Sequence, residues 1–145
     1  MLIEQISKLK FKTQNEKIMT ENEISYLIRK AIFNVYNGLG PGLLESVYHK
    51  VLIYELEDLG LEVKSELPVS VTYNNVIFDC EFRIDILVDD SVIVELKSVK
   101  ELENVHFKQL STYLKLADKR LGILVNFNTD NILDSIKRIA NKLEN

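Results

Sequence analysis

The chain is poor in the residues that build small stapled or low-complexity proteins. It has one cysteine, Cys80, in 145 residues, so no intrachain disulfide framework exists. Two prolines and five glycines are too few for a linker-rich or disordered polymer, and a hydrophobic content of 46% suits one globular domain with a substantial core. No apolar stretch near the N-terminus has the length of a signal peptide or a membrane helix, which makes the cytoplasm the expected address and leaves no expected membrane partner. Basic charge is also scarce. The formal net charge is -4, which counts against a nonspecific binder of nucleic acid that works through bulk electrostatics. Residues 1–19 carry Lys8, Lys10, Lys12 and Lys17 against Glu4 and Glu16, so the rest of the chain is more acidic than the whole. An acidic body can still bind phosphate where a metal ion and a local basic group supply positive charge.

Residues 1–19 read as a short helix or loose arm before a single domain over residues 20–145. Thr20-Glu21-Asn22-Glu23 has the form of a capping box, and Ile24, Leu27, Ile28, Ala31, Ile32 and Val35 follow at helical spacing to about Gly38. Residues 38–42, Gly-Leu-Gly-Pro-Gly, break the pattern. They follow a helix and lack the G-x-G-x-x-G spacing, so a helix-to-helix turn is expected rather than a phosphate cradle. A second helix runs through Leu44, Val47, Tyr48, Val51, Leu52, Leu56 and Leu59, with Gly60 as its C-terminal cap. From Leu61 the period changes to two. Residues 62–67, 69–73, 76–88 and 92–99 read as an antiparallel meander punctuated by Pro68, Asn74-Asn75 and Asp89-Asp90-Ser91. A third helix is expected over residues 101–117, then a central strand over 121–127 that returns parallel to its neighbour. Ile132, Leu133, Ile136, Ile139 and Ala140 are spaced as a terminal helix. The expected fold class is mixed α/β, a central sheet with an antiparallel meander flanked by helices.

Within residues 91–98, Ser-Val-Ile-Val-Glu-Leu-Lys-Ser, an acid and a lysine stand two apart in an apolar strand, so Glu95 and Lys97 share a face. Asp85 lies ten positions upstream in another apolar run. A two-residue turn between the strands would pair Asp85 with Val94 and put the two acids on opposite faces. A three-residue loop at 89–91 pairs Asp85 with Glu95 and sets Arg83 opposite Lys97, and this register is expected. The bland alternative is a set of charges on the wet face of an antiparallel sheet. Residues 92–96 lack polar alternation, however, which marks a strand covered on both faces, where unpaired charge is costly. Two strand-borne carboxylates can hold a divalent cation, and a neighbouring ammonium can orient water or stabilise a charged transition state. Glu45 and Tyr48 share a face of the second helix, and Gln109 and Tyr113 share a face of the third. His106 reads as a helix-surface or packing residue, His49 lacks partners at zinc spacing, and Cys80 reads as a small strand residue.

Gly42-Leu43-Leu44-Glu45-Ser46-Val47-Tyr48 resembles the signature of the GxxExxY proteins. The resemblance continues through residues 83–88, 93–97, 105–110 and 121–127, spanning about residues 20–140. That family is grouped with the PD-(D/E)XK nuclease superfamily, which implies a restriction-endonuclease-like core and a Mg2+ or Mn2+ site on the sheet. Carried over, the resemblance makes Asp85 and Glu95 the metal-binding carboxylates, with Glu45 reaching the metal directly or through water. Lys97 becomes the charged partner of the attacking water. Gln109 and Tyr113 become a Q-x-x-x-Y element that places substrate or metal, and Tyr48 a further substrate contact. The proline of the superfamily name has no counterpart, since Arg83-Ile84 precedes Asp85. The implied function is metal-dependent hydrolysis of phosphodiester bonds in nucleic acid, DNA favoured over RNA, and a homodimer would help so small an enzyme cut two strands. The rival reading is an inactive nucleic-acid-binding or protein-interaction module on the same fold, which the acidic charge favours. A carboxylate-pair glycosidase fits less well, because acids paired directly beside a lysine suit a cation better than a sugar between them.

Overall fold

The computed structural model describes residue 2 and residues 18–144, so most of the expected N-terminal arm lies outside the described residues. The elements run α1 (Glu21–Leu39), α2 (Glu45–Asp58), β1 (Val63–Tyr73), β2 (Val76–Val88), β3 (Val92–Lys97), α3 (Asn104–Leu116), β4 (Leu121–Asn126), a single 3-10 turn (Leu133–Ser135) and β5 (Ile136–Ala140). The five strands form one mixed sheet in the order β1-β2-β3-β4-β5. Strands β1 to β3 are an antiparallel meander, β3 and β4 are parallel, and β5 returns antiparallel to β4.

Local chemistry sets the helix ends. The Thr20 hydroxyl accepts the Glu23 amide at 3.2 Å, satisfying one of the free donors at the start of α1. Gly60 closes α2 at φ 82°, with its own amide on the Glu57 carbonyl and the Leu61 amide on the Leu56 carbonyl. That pair of bonds is a Schellman cap, which needs a residue at ease in the left-handed region.

Both faces of the sheet are covered. On one side α1 and α2 lay Ile24, Ile28, Ile32, Leu52 and Leu56 against Val92, Val94 and Leu96 of β3 and Leu121, Ile123 and Val125 of β4. On the other side α3 lays Leu110, Tyr113 and Leu114 against Ile93, Leu124 and Leu87. This double coverage explains why β3 and β4 read as unbroken apolar runs. A Cβ on Gly122 would come within 2.9 Å of the Leu110 side chain, so the missing side chain in β4 is what lets α3 seat closely.

Two expectations are corrected. Pro68 does not divide β1, which continues across it to Tyr73. As the edge strand, β1 can lack one amide without breaking a central ladder. The terminal helix expected from Ile132, Ile136 and Ile139 is instead the 3-10 turn followed by β5. Residues three apart share a helix face but fall on opposite faces of a strand. Ile136 joins the core beneath α1 and α2, and Ile139 packs against the core beneath α3. Both are used, and the open edge of β4 is capped.

Candidate functional site

The hairpin between β2 and β3 closes through three residues, two of them left-handed (Asp89, φ 48°; Asp90, φ 52°), with the Ser91 amide on the Val88 carbonyl at 3.0 Å. The resulting register, Val88 with Val92, Leu87 with Ile93 and Ile86 with Val94, continues by one step to Asp85 opposite Glu95. At that step side chains take over from the ladder. The Asp85 amide donates to Glu95 Oε1 at 3.1 Å, and the Leu96 amide donates to Asp85 Oδ2 at 3.0 Å. Each acid thus accepts from the backbone of the strand opposite, which holds the two carboxylates together at the end of the ladder.

The environment of this pair is short of positive charge. Glu95 is only 3% exposed. Burial, followed by the charge of Asp85 and a side-chain hydrogen bond with it, pushes the Glu95 carboxyl up to about 9, against lowering by the Asp85 amide and Lys97. The pair therefore holds a proton at neutral pH. Glu45, in the first turn of α2, is also raised. Its partial burial is the main cause; Lys97 opposes it, Asp85 adds to it, and the Ser98 amide and His49 oppose it. Tyr113 on α3 is raised by burial and then by Glu95, lowered by a hydrogen bond from Gln109, and raised by Asp85. Residues from α2, β2, β3 and α3 thus share one electrostatic neighbourhood.

Gln109 Nε2 donates to the Tyr113 hydroxyl at 3.0 Å, so these two residues act as one unit above the sheet. His49 Nε2 lies 3.1 Å from the Asp85 carbonyl, which can only accept, so the ring donates there and ties α2 to β2 beside the pair. Lys97 is half-buried and makes no ion pair among the described residues, leaving its ammonium available. Tyr48 is not in this group. It is fully buried, stacked on Phe127 at 4.5 Å; its hydroxyl donates to the Gly40 carbonyl at 2.6 Å and accepts the Leu43 amide at 3.1 Å. Those bonds fold the glycine-rich turn onto α2 and fix where the helix bearing Glu45 begins. Substrate has no access to that hydroxyl, which corrects the expected substrate contact. His106 accepts the Glu103 amide through Nδ1 at 2.9 Å and so helps start α3.

Asn126 belongs to the site's frame although sequence reasoning passed over it. It is buried at the end of β4, where its Oδ1 accepts the Val99 amide at 3.0 Å and its Nδ2 donates to the Val99 carbonyl at 2.9 Å. With the Phe127 amide on the Lys97 carbonyl and the Ser98 hydroxyl on the Leu43 carbonyl, it pins residues 97–99 to both β4 and the turn before α2. The visible signal is a lone amide inside the apolar run 121–127.

Among the described residues, no three His, Cys, Asp or Glu side chains already stand grouped to hold a metal ion. The donors do fit one in kind: two hard carboxylates held together at the end of the β2–β3 ladder and a third near enough to feel their charge. A hollow of about 310 Å³ lined by Lys115, Asp118, Arg120, Asn141 and Lys142 lies at the other end of β4 from these groups and takes no part. A family model described as the PD-(D/E)XK nuclease superfamily matches residues 22–139, which includes every residue of the cluster. No curated protein and no solved structure matches the chain.

Proposed function

The chain belongs to the PD-(D/E)XK nuclease superfamily, with a restriction-endonuclease-like mixed sheet, and from that premise we propose that it hydrolyses phosphodiester bonds of nucleic acid with Mg2+ or Mn2+. The observation that carries the reading is the Asp85–Glu95 pair, held in register at the end of the β2–β3 ladder with Lys97 beside it. Asp85 and Glu95 would hold the ion, and Glu45 would complete its shell directly or through water. When bound, such an ion polarises a phosphoryl oxygen and makes water more acidic.

The chain's own residues do the rest. Lys97 faces the same side as Glu95, where an ammonium orients the attacking water and stabilises the charge that develops on phosphorus-bound oxygens. The Asp85 and Leu96 amides keep both carboxylates aimed inward, so little reorganisation is needed during reaction. Gln109, exposed, and Tyr113, bonded to it, would place a phosphate or sugar edge above the pair. The GxxExxY relationship belongs to this reading as well, resting on residues 42–48, whose Glu and Tyr set the third carboxylate and the turn beneath it. DNA over RNA, a homodimeric state and a cytoplasmic setting complete it. The free thiol of Cys80 accords with a reducing compartment.

The net charge of -4 favours a second reading, an inactive binding module. The test is incubation of single- and double-stranded DNA and RNA with Mg2+, Mn2+ or EDTA, beside folded Lys97→Ala and Glu95→Ala variants. Cleavage that requires metal and disappears in both variants supports hydrolysis. Retention of nucleic acid without turnover, and no calorimetric Mn2+ binding, supports the module.

A further inference from the structure

Beyond the step where β2 leaves β3, strands β1 and β2 continue as a two-stranded arm ending at the left-handed Asn74-Asn75 turn. Hairpins of this kind are marginal alone and gain from a partner on their apolar face. Along β1, Val69, Val71 and Tyr73 share one face by alternation. Their cross-strand partners on that face are Phe82, Phe78 and Val76. Val69 lies in the core beneath α3, and the Phe82 ring meets the Tyr113 ring at 6.1 Å. The face therefore begins at the carboxylate cluster and runs outward past α3.

Three aromatics emerge along it: Phe82 is 44% exposed, Phe78 48% and Tyr73 68%. The register shift between Val69 and Ser70 takes up Cys80 and Glu81 in a bulge. Phe78 thereby stands one pleat period from Phe82 instead of two, and Tyr73 stands one further. Successive rings are therefore about 7 Å apart, a step that suits the bases of an extended single strand and not those stacked inside a duplex. Charge does not choose between single strand and duplex. The two strands carry Lys64 and Arg83 against Glu66, Asp79 and Glu81 in addition to Asp85, so they offer no phosphate track to either, and attraction has to come from the rings.

We infer that Phe82, Phe78 and Tyr73 form a stacking platform for single-stranded nucleic acid that leads an unpaired strand to the Asp85–Glu95 cluster. The inference deepens the phosphodiesterase reading by naming its substrate class and rests on it only for the destination of the strand. Affinity comes from ring-on-base contact, which is tolerant of sequence, and its dependence on salt is shallow.

The chain has no tryptophan, so Phe78→Trp places a single fluorophore in the middle of the platform. The experiment titrates this protein in EDTA with oligothymidylate, oligouridylate and a blunt DNA duplex. Saturable quenching by the single strands, at least roughly tenfold tighter than by duplex, is the expected result. Adding Tyr73→Ala or Phe82→Ala weakens it roughly 5- to 100-fold, and Phe82→Leu, which keeps apolar bulk but has no ring, weakens it as alanine does. Equal or tighter duplex binding, absence of quenching, or an emission change that follows protein concentration alone and sediments as a dimer overturns the inference. The last result assigns the face to a second copy of the chain. Because binding is read without metal, a protein that binds single strands but never cleaves would sink the hydrolytic reading and leave the platform standing. A protein that cleaves but shows no preference for single strands would do the reverse.

Discussion

Glu95 illustrates how one buried acid couples stability to function. Its carboxyl is held near 9 in the folded chain against an ordinary 4.5, so between those values the unfolded chain gives up a proton that the folded chain keeps. The stability associated with this group is complete below about 4.5 and drains away as pH rises toward 9. Glu95→Gln removes the dependence. In metal-free thermal melts the variant should match the parent at pH 4 and melt several degrees higher at pH 8, where one kcal/mol corresponds to roughly 4 °C in a chain of this size. Unchanged differences across that range would show that Glu95 is not held protonated. Lys97→Ala makes the complementary case: turnover should fall by about 10²-fold or more with little change in melting temperature, since the ammonium anchors no ion pair among the described residues. At this scale the sequence was informative where alternation and loop parity decide the outcome, as for Asp85 and Glu95. It was silent on Tyr48, because helical spacing puts a tyrosine on a face without saying whether that face meets core or solvent.

The elements hold the cluster through a few close approaches that can be broken singly. Gly122→Val should cost about 1–3 kcal/mol in denaturant unfolding, because its side chain would drive into Leu110 and lift α3 with Gln109 and Tyr113. Asn126→Ala strands the Val99 amide at the end of β4 and leaves the Val99 carbonyl only the 3.3 Å bond from the Asn128 side chain. It should cost about 1–3 kcal/mol and also reduce turnover, as residues 97–99 lose their clamp. Asn126→Ala with full turnover would separate Asn126 from the site. Helix starts and stops were legible at Thr20 and Gly60, where one side chain or one left-handed residue decides the matter locally. The terminal β5 was not. Whether Ile136 and Ile139 serve one helix face or two strand faces depends on the open edge of β4, which is set by residues far away in the chain.

For the whole molecule, the charge balance makes the metal indispensable to the account. The carboxylate cluster at the centre of a chain of net charge -4 repels the one phosphate that must enter it until a cation is bound there. Mn2+ should therefore raise the melting temperature of the parent protein by mass action and leave an Asp85→Asn, Glu95→Gln double variant unmoved. The mixed sheet itself was readable from the change of hydrophobic period at Leu61 and from the doubly buried runs of β3 and β4. The protruding arm was not, since exposed aromatics on paired strands look in sequence like any half-buried hairpin. The most direct measurement is cleavage of an end-labelled single strand with Mg2+, Mn2+ or EDTA, by the parent and by Asp85→Asn and Glu95→Gln. The account predicts products only with metal and only from the parent. Products in EDTA, full-rate cleavage by either variant, or no cleavage by the parent would contradict it.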